Sequence, residues 1–442
     1  MTAGDNQREF AITVVRRLQA AGFQALWAGG CVRDLLLNET PGDYDVATDA
    51  RPEQVQNLFG PRKTLAIGAS FGVIQVRGPQ RGCDVEVATF RTEGPYGDGR
   101  RPDHVRFSSP EEDAQRRDFT INGMFYDPLI EQVFDYVGGR DDLARGIVKA
   151  IGEPRARFQE DKLRMLRAVR LAARFNFRLD GATARAATEM AGEILVVSRE
   201  RITQELKKML VHERRSQALE LARQLKLALP ILPELAELFT NSDPETATAR
   251  WRGTLRRVDR LHAPSFELAL ATLLYDLTPG IAEPKPHHGA ATLSSHRETA
   301  ALHALGRRMR LANHETELIT WLTLHRRALV DAPTLALSQL KRLAAHPAFV
   351  ELIKLHRAAA EADHCDLAPV DFCEEFLQRT PPEEIAPPPL LTGADLIGHG
   401  LQPGAQFSEL LTRVRDAQLE GTIATVGEAL ALVDQIVGGQ TE

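Results

Sequence analysis

The sequence has 442 residues, which at ordinary domain sizes corresponds to about two to four domains. Its hydrophobic content of 43% and charged content of 26% are typical of a globular protein, and no apolar run is long enough to span a bilayer. Because the net charge is −6, any binding of a nucleic acid would require a local basic patch.

The amino-terminal residues and the cysteines indicate the cellular compartment. The first ten residues contain no apolar stretch, so we expect no secretory signal. The four cysteines, Cys31, Cys83, Cys365 and Cys373, lack the spacing of a metal site. Free thiols of this kind are typical of cytoplasmic proteins, and the sequence predicts that location.

The predicted elements change in kind along the chain, which indicates the α+β class. We predict helices over residues 6–21 and 32–37, and strands over 25–28, 44–47, 72–76 and 84–90. From residue 155 onward the apolar residues recur at helical spacing and strand signals vanish. The Pro-dense stretch 381–389 predicts a stiff linker, and a tail with two helices follows it.

Two short motifs in the first part carry glycine and acidic residues. Gly29 and Gly30 lie between a predicted strand and helix, where backbone N–H groups can approach a triphosphate, although an ordinary turn uses the same residues. Asp43 and Asp45 are two apart on a predicted strand, so their carboxylates share a face. Two divalent cations would relieve their repulsion, and a solvated acidic loop is the alternative.

A third carboxylate is expected on a neighbouring strand. Asp84 and Glu86 alternate with apolar residues and therefore share one face of the predicted strand. We favour Glu86 and keep Asp84 as the alternative. Two metals held by such carboxylates can activate an attacking 3′ hydroxyl and stabilise a leaving pyrophosphate.

The motifs follow one another in the order of a known family. The stretch from Gly29 to Leu37, followed by Asp43-x-Asp45-Val46-Ala47-Thr48, resembles the head motif of class II tRNA nucleotidyltransferases and bacterial poly(A) polymerases. Further resemblances lie at residues 86–91, 96–106, 116–122, 135–143, 160–170 and 198–206. The resemblance covers residues 26–210, about half of the chain.

This resemblance implies a template-independent RNA nucleotidyltransferase with four parts. It implies addition of CCA to tRNA 3′ ends from CTP and ATP with Mg²⁺, without a membrane partner, and it leaves the oligomeric state open. The implied parts are a mixed-sheet head at 1–145, a helical neck at 146–215, a helical body at 216–380, and a linker and tail at 381–442.

The implied site residues fall into two sets. The catalytic carboxylates would be Asp43, Asp45 and Glu86, with the metals on Asp43 and Asp45. The implied NTP-binding residues are Gly29, Gly30, Arg33, Arg117, Asp118, Asn122, Asp161, Arg164 and Arg167. Among these, Asp118 would accept from a ribose 2′ hydroxyl and Arg117 would meet phosphate.

Base selection is assigned to Asp161 and Arg164. We predict them three apart on one helix, so that they share a face. A carboxylate accepts from an exocyclic amine and an arginine donates to base acceptors, so the pair can read C or A without a template. Spacing alone favours an intrahelical ion pair, whereas the resemblance favours base selection.

An arginine stripe is predicted on the same helix. Arg167, Arg170, Arg174 and Arg178 recur at spacings of three and four, close to one face. We expect Arg170 and Arg174 to bind RNA phosphates, and a solvated helical face is the alternative.

Residues 264–326 resemble an HD-type helical domain with an altered centre. Tyr275 stands where the histidine of the His-Asp dyad would be, followed by Asp276, and we therefore expect no phosphohydrolase activity. His296 and His325 are similar to the later histidine positions of such domains, whereas His287 and His288 lie in a loop rich in Pro and Gly. Residues 391–404 resemble a tail element that holds the tRNA elbow in some relatives.

Several functions compete with CCA addition. Within the class these are A-adding, CC-adding and poly(A)-adding activities; the complete flexible-loop motif over residues 92–105 counts against CC addition alone. From other classes they are a phosphohydrolase at Tyr275 and Asp276, and a noncatalytic RNA-binding protein. The missing histidine argues against the former, and retention of Asp43 and Asp45 against the latter.

Overall fold

The computed structural model describes residues 3–68, 72–80, 82–93, 105–239, 243–276 and 290–438. The chain divides into two compact units, Met1–Ala236 and Glu237–Glu442. This division falls inside the predicted body, beyond the predicted neck–body boundary at residue 215. Within the described ranges, no helix combines the length and the apolar character needed to cross a membrane.

The first unit contains a mixed sheet of seven described strands in the order β3-β4-β5-β2-β1-β8-β9. The β-pairs β6–β7 and β10–β11 form two small separate sheets. The strands are β1 Ala25–Ala28, β2 Asp45–Thr48, β3 Thr64–Gly68, β4 Val73–Val76, β5 Val85–Thr89, β6 Arg91–Glu93, β7 Val105–Phe107, β8 Phe125–Asp127, β9 Gln132–Phe134, β10 Ile147–Val148 and β11 Arg178–Leu179.

The helices of the first unit precede, interrupt and follow the sheet. They are α1 Ala3–Ala20, α2 Gly30–Leu36, α3 Pro52–Phe59, α4 Pro110–Gln115, α5 Gly139–Ala144, α6 Pro154–Glu160, α7 Leu163–Phe175, α8 Gly181–Glu189, α9 Arg199–Leu210, α10 Arg215–Gln224 and α11 Ala228–Ile231. The predicted flexible loop lies largely outside the described residues, between the paired strands β6 and β7.

Strand alternation gives the sheet one apolar face and one mixed face. Trp27, Val46 and Val87 point into the main core, which also receives Val14 and Leu18 of α1. Their sequence neighbours point to the other face, where Ala28 and Ala47 pack in a smaller cluster with Phe125. Asp45 of β2 and Glu86 of β5 lie on this second face, and the rigid sheet therefore fixes their spacing.

The predicted strands are confirmed with shifts at their ends. The strand over residues 25–28 has the expected bounds, but β2 begins at Asp45 rather than at residue 44. Asp43 therefore precedes the strand, and the expectation that Asp43 and Asp45 share one strand face is wrong. Asp84 likewise lies outside β5, which begins at Val85.

The predicted neck holds a strand that the helical periodicity did not indicate. Helix α7 ends at Phe175 because Asn176 adopts a left-handed conformation with φ of 55°. The chain then extends, and Arg178 and Leu179 pair in parallel with Ile147 and Val148. The expectations that strands vanish beyond residue 155 and that Arg178 continues the arginine helix are therefore wrong.

The second unit is helical in its described part. Its helices, with the one at the division, are α12 Ala236–Phe239, α13 Pro244–Asp259, α14 Phe266–Leu273, α15 Ala290–Met309, α16 Asn313–Leu324, α17 Leu337–Ala344, α18 Phe349–Asp363, α19 Ala368–Arg379, α20 Pro382–Ile385, α21 Gly393–Gly398, α22 Gln406–Leu419 and α23 Val426–Gly438.

The Pro-dense stretch differs from the spacer that its composition predicts. It contains the short helix α20, Ile385 is buried, and the Pro388 carbonyl accepts a hydrogen bond from Gln418 at 2.7 Å. The tail after it has three described helices rather than two, and Leu396, Val414 and Val433 are in their shared core.

Candidate active site

Three acidic residues meet on the mixed face of the sheet. Asp45 of β2 lies directly opposite Glu86 of β5 in the parallel register, so both side chains point to the same side. Asp43 immediately precedes β2 and is close enough to interact electrostatically with both. We call Asp43, Asp45 and Glu86 the head carboxylates.

The register also distinguishes the two candidates for the third carboxylate. Glu86 interacts with Asp43 and Asp45, whereas the Asp84 carboxylate accepts a hydrogen bond from the Gly78 backbone N–H at 3.0 Å. Asp84 therefore holds the loop before β5. Glu86, two residues further along the chain, is the acid that faces Asp43 and Asp45.

The electrostatics of the head carboxylates favour a bound cation. Solvent reaches Asp45, but the surrounding protein removes much of its hydration, and this burial is the largest cause that raises its pKa to about 7. Repulsion from Asp43 and Glu86 raises that pKa further, while Arg117 lowers it. Burial and Asp43 likewise raise the pKa of Glu86.

A hard divalent cation fits this donor set. Carboxylate oxygens are preferred ligands of Mg²⁺, and a cation would relieve the repulsion that protonation otherwise relieves. Among the described residues, no three His, Cys, Asp or Glu side chains already stand in the geometry of a metal site. Mg²⁺ usually keeps several waters and takes one or two protein carboxylates plus substrate phosphates. Two aspartates are therefore enough ligands from the protein.

Gly29 allows a close approach beside this face. Its φ is +78°, and a Cβ added there would lie 3.0 Å from Nη1 of Arg117. Arg117 is held by two hydrogen bonds to the buried Asp113, at 3.0 and 3.1 Å, and its guanidinium lies 4.9 Å from the centre of the Phe125 ring. A fixed cation therefore lies beside the glycine turn, within electrostatic reach of Asp45.

Asp118 joins α7 to the head through a polar network. Its Oδ2 accepts from Nε and Nη2 of Arg167 at 2.9 and 2.7 Å, and its Oδ1 accepts from Phe119 N–H and Asn122. Arg167 is the largest cause that lowers the pKa of Asp118, to about 2, against the effect of burial. Because a carboxylate offers about four acceptor sites, a ribose hydroxyl would need one of these donors to leave.

The guanidinium of Arg33 is also hydrogen-bonded to protein side chains. It donates to Asp34 at 2.8 and 2.6 Å and to Oδ1 of Asn122 at 2.5 Å, and it lies over the Phe175 ring. The residue is buried, so its visible role is to hold Asn122 and α2 in place. A direct contact with NTP stays a prediction.

Asp161 and Arg164 do not lie on one helix. Asp161 has an extended backbone between α6 and α7, with φ of −146°, whereas Arg164 is in the first turn of α7. Arg201 of α9 donates to both Asp161 oxygens, at 3.1 and 2.6 Å. Arg164 donates to Glu160 at 2.5 Å, so the two residues do not form the intrahelical pair that spacing favoured.

The predicted RNA-binding arginines differ in their partners. Arg170 donates to the buried Glu205 at 2.6 Å. Arg174 lies 3.5 Å from Asp34 and 3.3 Å from Glu39. Both nevertheless line a cavity of about 420 Å³ in the neck, so their contact with RNA stays a prediction.

The HD-like centre is closed by an arginine. Arg257 forms an ion pair with Asp276, donates to Asp363 at 2.8 Å, and lies over the Tyr275 ring at 4.8 Å. The later histidine candidate His325 stacks on Trp321 and interacts through Nδ1 with the Trp321 carbonyl at 2.8 Å. In this arrangement Asp276 neutralises a protein cation. His287 and His288 lie outside the described residues.

Comparison with known proteins shows what the parts of this chain are similar to. Residues 25–149 match the poly A polymerase head domain, and residues 176–239 match the probable RNA and SrmB-binding site of polymerase A. The CCA-adding enzyme of Geobacillus sp. (strain WCH70) is 43% identical over 225 residues, which cover 50% of this chain and 54% of that protein. Over these regions the chain is similar to class II tRNA nucleotidyltransferases and bacterial poly(A) polymerases.

Other similar proteins cover different shares of the chain. Poly(A) polymerase I of Salmonella typhi is 39% identical over 246 residues, which cover 53% of this chain and 52% of that protein. The chain spans about half the length of the curated relatives that it matches. The Bacillus stearothermophilus CCA-adding enzyme in complex with CTP has a TM-score of 0.73 and 26% identity, with full coverage of both chains.

The structure places around the cavity in the neck three residues that the motif analysis did not identify. Lys208, His212 and Arg214 line the same cavity as Arg170 and Arg174. Their signal in the sequence is the basic stretch from Lys207 to Arg215, which follows the last motif. Composition alone does not show that this stretch faces α7.

Proposed function

We propose that the chain is a tRNA nucleotidyltransferase that adds CCA to tRNA 3′ ends from CTP and ATP and releases pyrophosphate. The single observation that carries the proposal is the register that sets Asp45 beside Glu86, with Asp43 in the turn before the strand. The match to the head domain and the names of the CCA-adding relatives support the same activity.

In the proposed mechanism Asp43 and Asp45 hold Mg²⁺, and Glu86 is the third carboxylate. The bound metal supplies charge neutralisation for phosphoryl transfer, with activation of the 3′ hydroxyl. Arg117, fixed by Asp113, lies where it can meet a phosphate beside Gly29 and Gly30. This arrangement keeps the cations and the glycine turn on the same side as the carboxylates.

Base selection is assigned in this proposal to the start of α7. Asp161 and Arg164 present an acceptor and a donor to the incoming base, and Arg201 fixes the Asp161 carboxylate from α9. Arg167, which is bonded to Asp118, completes the nucleotide side of the neck. We also keep the predicted division of the chain into head, neck, body and tail, with boundaries at residues 145, 215 and 380.

A second candidate function is poly(A) addition. It is favoured by the similarity to poly(A) polymerase I of Salmonella typhi, which is as extensive as that to the CCA-adding enzymes. A-adding or CC-adding activity on tRNA would use the same head carboxylates. These activities differ in the nucleotide accepted and in where addition stops.

One assay separates these activities. A tRNA transcript that lacks its CCA end is incubated with the protein, Mg²⁺, and CTP, ATP or both, and the products are measured by mass. CCA addition predicts two C residues with CTP alone and one further A when both are present. A long A tract with ATP alone would establish poly(A) addition instead, and no extension under any condition would refute the proposal.

A further inference from the structure

A basic cavity lies in the neck, apart from the head carboxylates. It has a volume of about 420 Å³, within the range of small-ligand pockets, and is bounded by α7, α9 and the turn before α10. Its basic lining residues are Arg170, Arg174, Lys208, His212 and Arg214. We call it the neck cavity. No carboxylate is among the described residues that line it.

The cations of the neck cavity are held to different degrees. Arg170 is bonded to the buried Glu205 at 2.6 Å, so its charge is largely compensated. Lys208 lies 3.9 Å from Glu205, and its side chain is 62% exposed. Arg214 lies 3.7 Å from Glu213, whose side chain is 80% exposed. The exposed Arg214–Glu213 pair contributes little, and the Lys208 contact with Glu205 is long, so both cations are available to an incoming anion.

The remaining lining favours a phosphate over a base. Met209 and Val211 contribute aliphatic surface, and His212 is the only ring among the described lining residues. Nδ1 of His212 accepts the Arg214 backbone N–H at 3.1 Å, which leaves Nε2 as the protonated nitrogen and a donor. Donors without a stacking platform suit a phosphodiester, since single-stranded bases usually stack on aromatic side chains.

The position along α7 relates the neck cavity to the proposed nucleotide site. Arg167 is bonded to Asp118 of the head, whereas Arg174 lies seven residues further along the same helix. At 1.5 Å per residue the two are about 10 Å apart along the axis. An RNA strand whose 3′ end lies at the proposed nucleotide site beside Arg167 can therefore also reach the neck cavity.

We propose that the neck cavity binds a backbone phosphate of the RNA strand close to its 3′ end, with Lys208 and Arg214 as the contacting cations. This inference rests on the proposed function, because it takes RNA as the ligand. It assigns a binding site to residues outside the nucleotide-binding motifs. Phosphate chemistry is shared by RNA, NTP and free phosphate, so the test must separate these sources.

The first arm measures the salt dependence of RNA binding. Lys208→Gln/Arg214→Gln is compared with wild-type protein and with Arg178→Gln/Arg185→Gln, which removes two exposed charges outside the neck cavity. Binding of a tRNA transcript without CCA is measured at several salt concentrations, without NTP or Mg²⁺. The cavity variant should bind about tenfold more weakly, with a slope of log K against log[salt] smaller by about one. The control should keep the wild-type slope.

The second arm locates the phosphate. Single methylphosphonate substitutions, which remove the charge of one phosphodiester, are placed along the last nucleotides of the RNA. One position should weaken binding to wild-type protein but cause no further loss with Lys208→Gln/Arg214→Gln. If every position weakened both proteins equally, the neck cavity would not contact the backbone and the inference would be wrong.

The third arm tests the other phosphate sources. Affinities for CTP and for inorganic phosphate should be the same in the cavity variant and the wild type. Loss of CTP or phosphate binding with unchanged RNA binding would overturn the inference. The outcome is independent of catalysis: a protein that binds RNA through the neck cavity but adds no nucleotide supports this inference and refutes the proposed function.

Discussion

The head carboxylates and the acids that bond to arginines of the neck occupy opposite electrostatic settings. Among the described residues, no ion pair involves a head carboxylate. By contrast, Asp118 of the head and Asp161 and Glu205 of the neck each accept from an arginine of the neck. The charged partners therefore decide the direction of the pKa shift: burial with other acids raises the pKa of Asp45 to about 7, whereas Arg167 lowers that of the partly buried Asp118 to about 2.

This difference indicates that the head carboxylates, and not the acids paired with neck arginines, need an external cation. Arg117 compensates only part of the negative charge of the head carboxylates, and a divalent ion would supply the rest. The neck supplies its own arginines, so its acids orient side chains rather than hold metal. Removing charge should therefore have opposite consequences for stability in the two regions.

The largest expected effect is the loss of activity on replacement of Asp45. Asp45→Asn keeps the shape of the side chain but removes the charge that holds the metal, so nucleotide addition should fall by about 10³-fold or more, which is about 4 kcal/mol. Single-turnover addition of CMP to tRNA measures the rate. Asp84→Asn is the matched control, because Asp84 caps the Gly78 loop and should leave the rate near that of wild type.

The next effect concerns the stability of the neck. Arg170→Met leaves Glu205 buried without its closest partner, so the free energy of unfolding should fall by about 3 kcal/mol in urea denaturation. Arg178→Met, at an exposed position, should change it little. The double variant Arg170→Met/Glu205→Leu should recover most of the loss. Equal stability of Arg170→Met and wild type would show that the pair is not structural.

A smaller effect is expected on nucleotide choice. Arg201→Lys loses the two-point contact that fixes Asp161, so discrimination between CTP and ATP should change by about 1–2 kcal/mol. The ratio of kcat/KM for the two nucleotides measures this change, and RNA affinity should stay constant. Arg199→Lys on the same helix is the control. An unchanged ratio in Arg201→Lys would assign Arg201 a purely structural role.

The smallest effect is the pH dependence of the metal-free protein. Since the pKa of Asp45 rises from 3.8 to about 7 on folding, the folded state binds the extra proton, and its stability should fall as pH rises from about 4 to 7. Asp45→Asn should remove part of this decline and raise stability at pH 8 by about 1 kcal/mol, given solvent screening. Thermal melts in chelator measure both. A lower Tm of Asp45→Asn at pH 8 would contradict the repulsion described here.

Local patterns predicted the two strands that carry Asp45 and Glu86 but not the contacts of the neck. Alternation in the Asp84–Phe90 stretch and the Asp-x-Asp spacing predicted the strands that bring Asp45 and Glu86 together, because strand geometry follows from period two. Asp43 shows the limit: the strand begins at Asp45, and its nearness to the other acids comes from the preceding turn.

In the neck, the decisive contacts join residues far apart in the sequence. Arg201 lies 40 residues from Asp161, and Glu205 lies 35 from Arg170, so spacing rules for one helix cannot indicate these pairs. The helical prediction across Asp161 was wrong because the chain is extended there. Nor does periodicity show that the basic stretch after α9 faces α7; that depends on how the helices pack.

The most direct test of the central claim is to count metal ions at the head carboxylates. Mn²⁺ is titrated into wild-type protein and Asp45→Asn in the presence of a non-hydrolysable CTP analogue, and bound ions are measured by electron paramagnetic resonance. The account predicts two ions per wild-type chain and loss of this binding in Asp45→Asn. Equal stoichiometry and affinity in the two proteins would contradict the claim that Asp43 and Asp45 hold the catalytic metals.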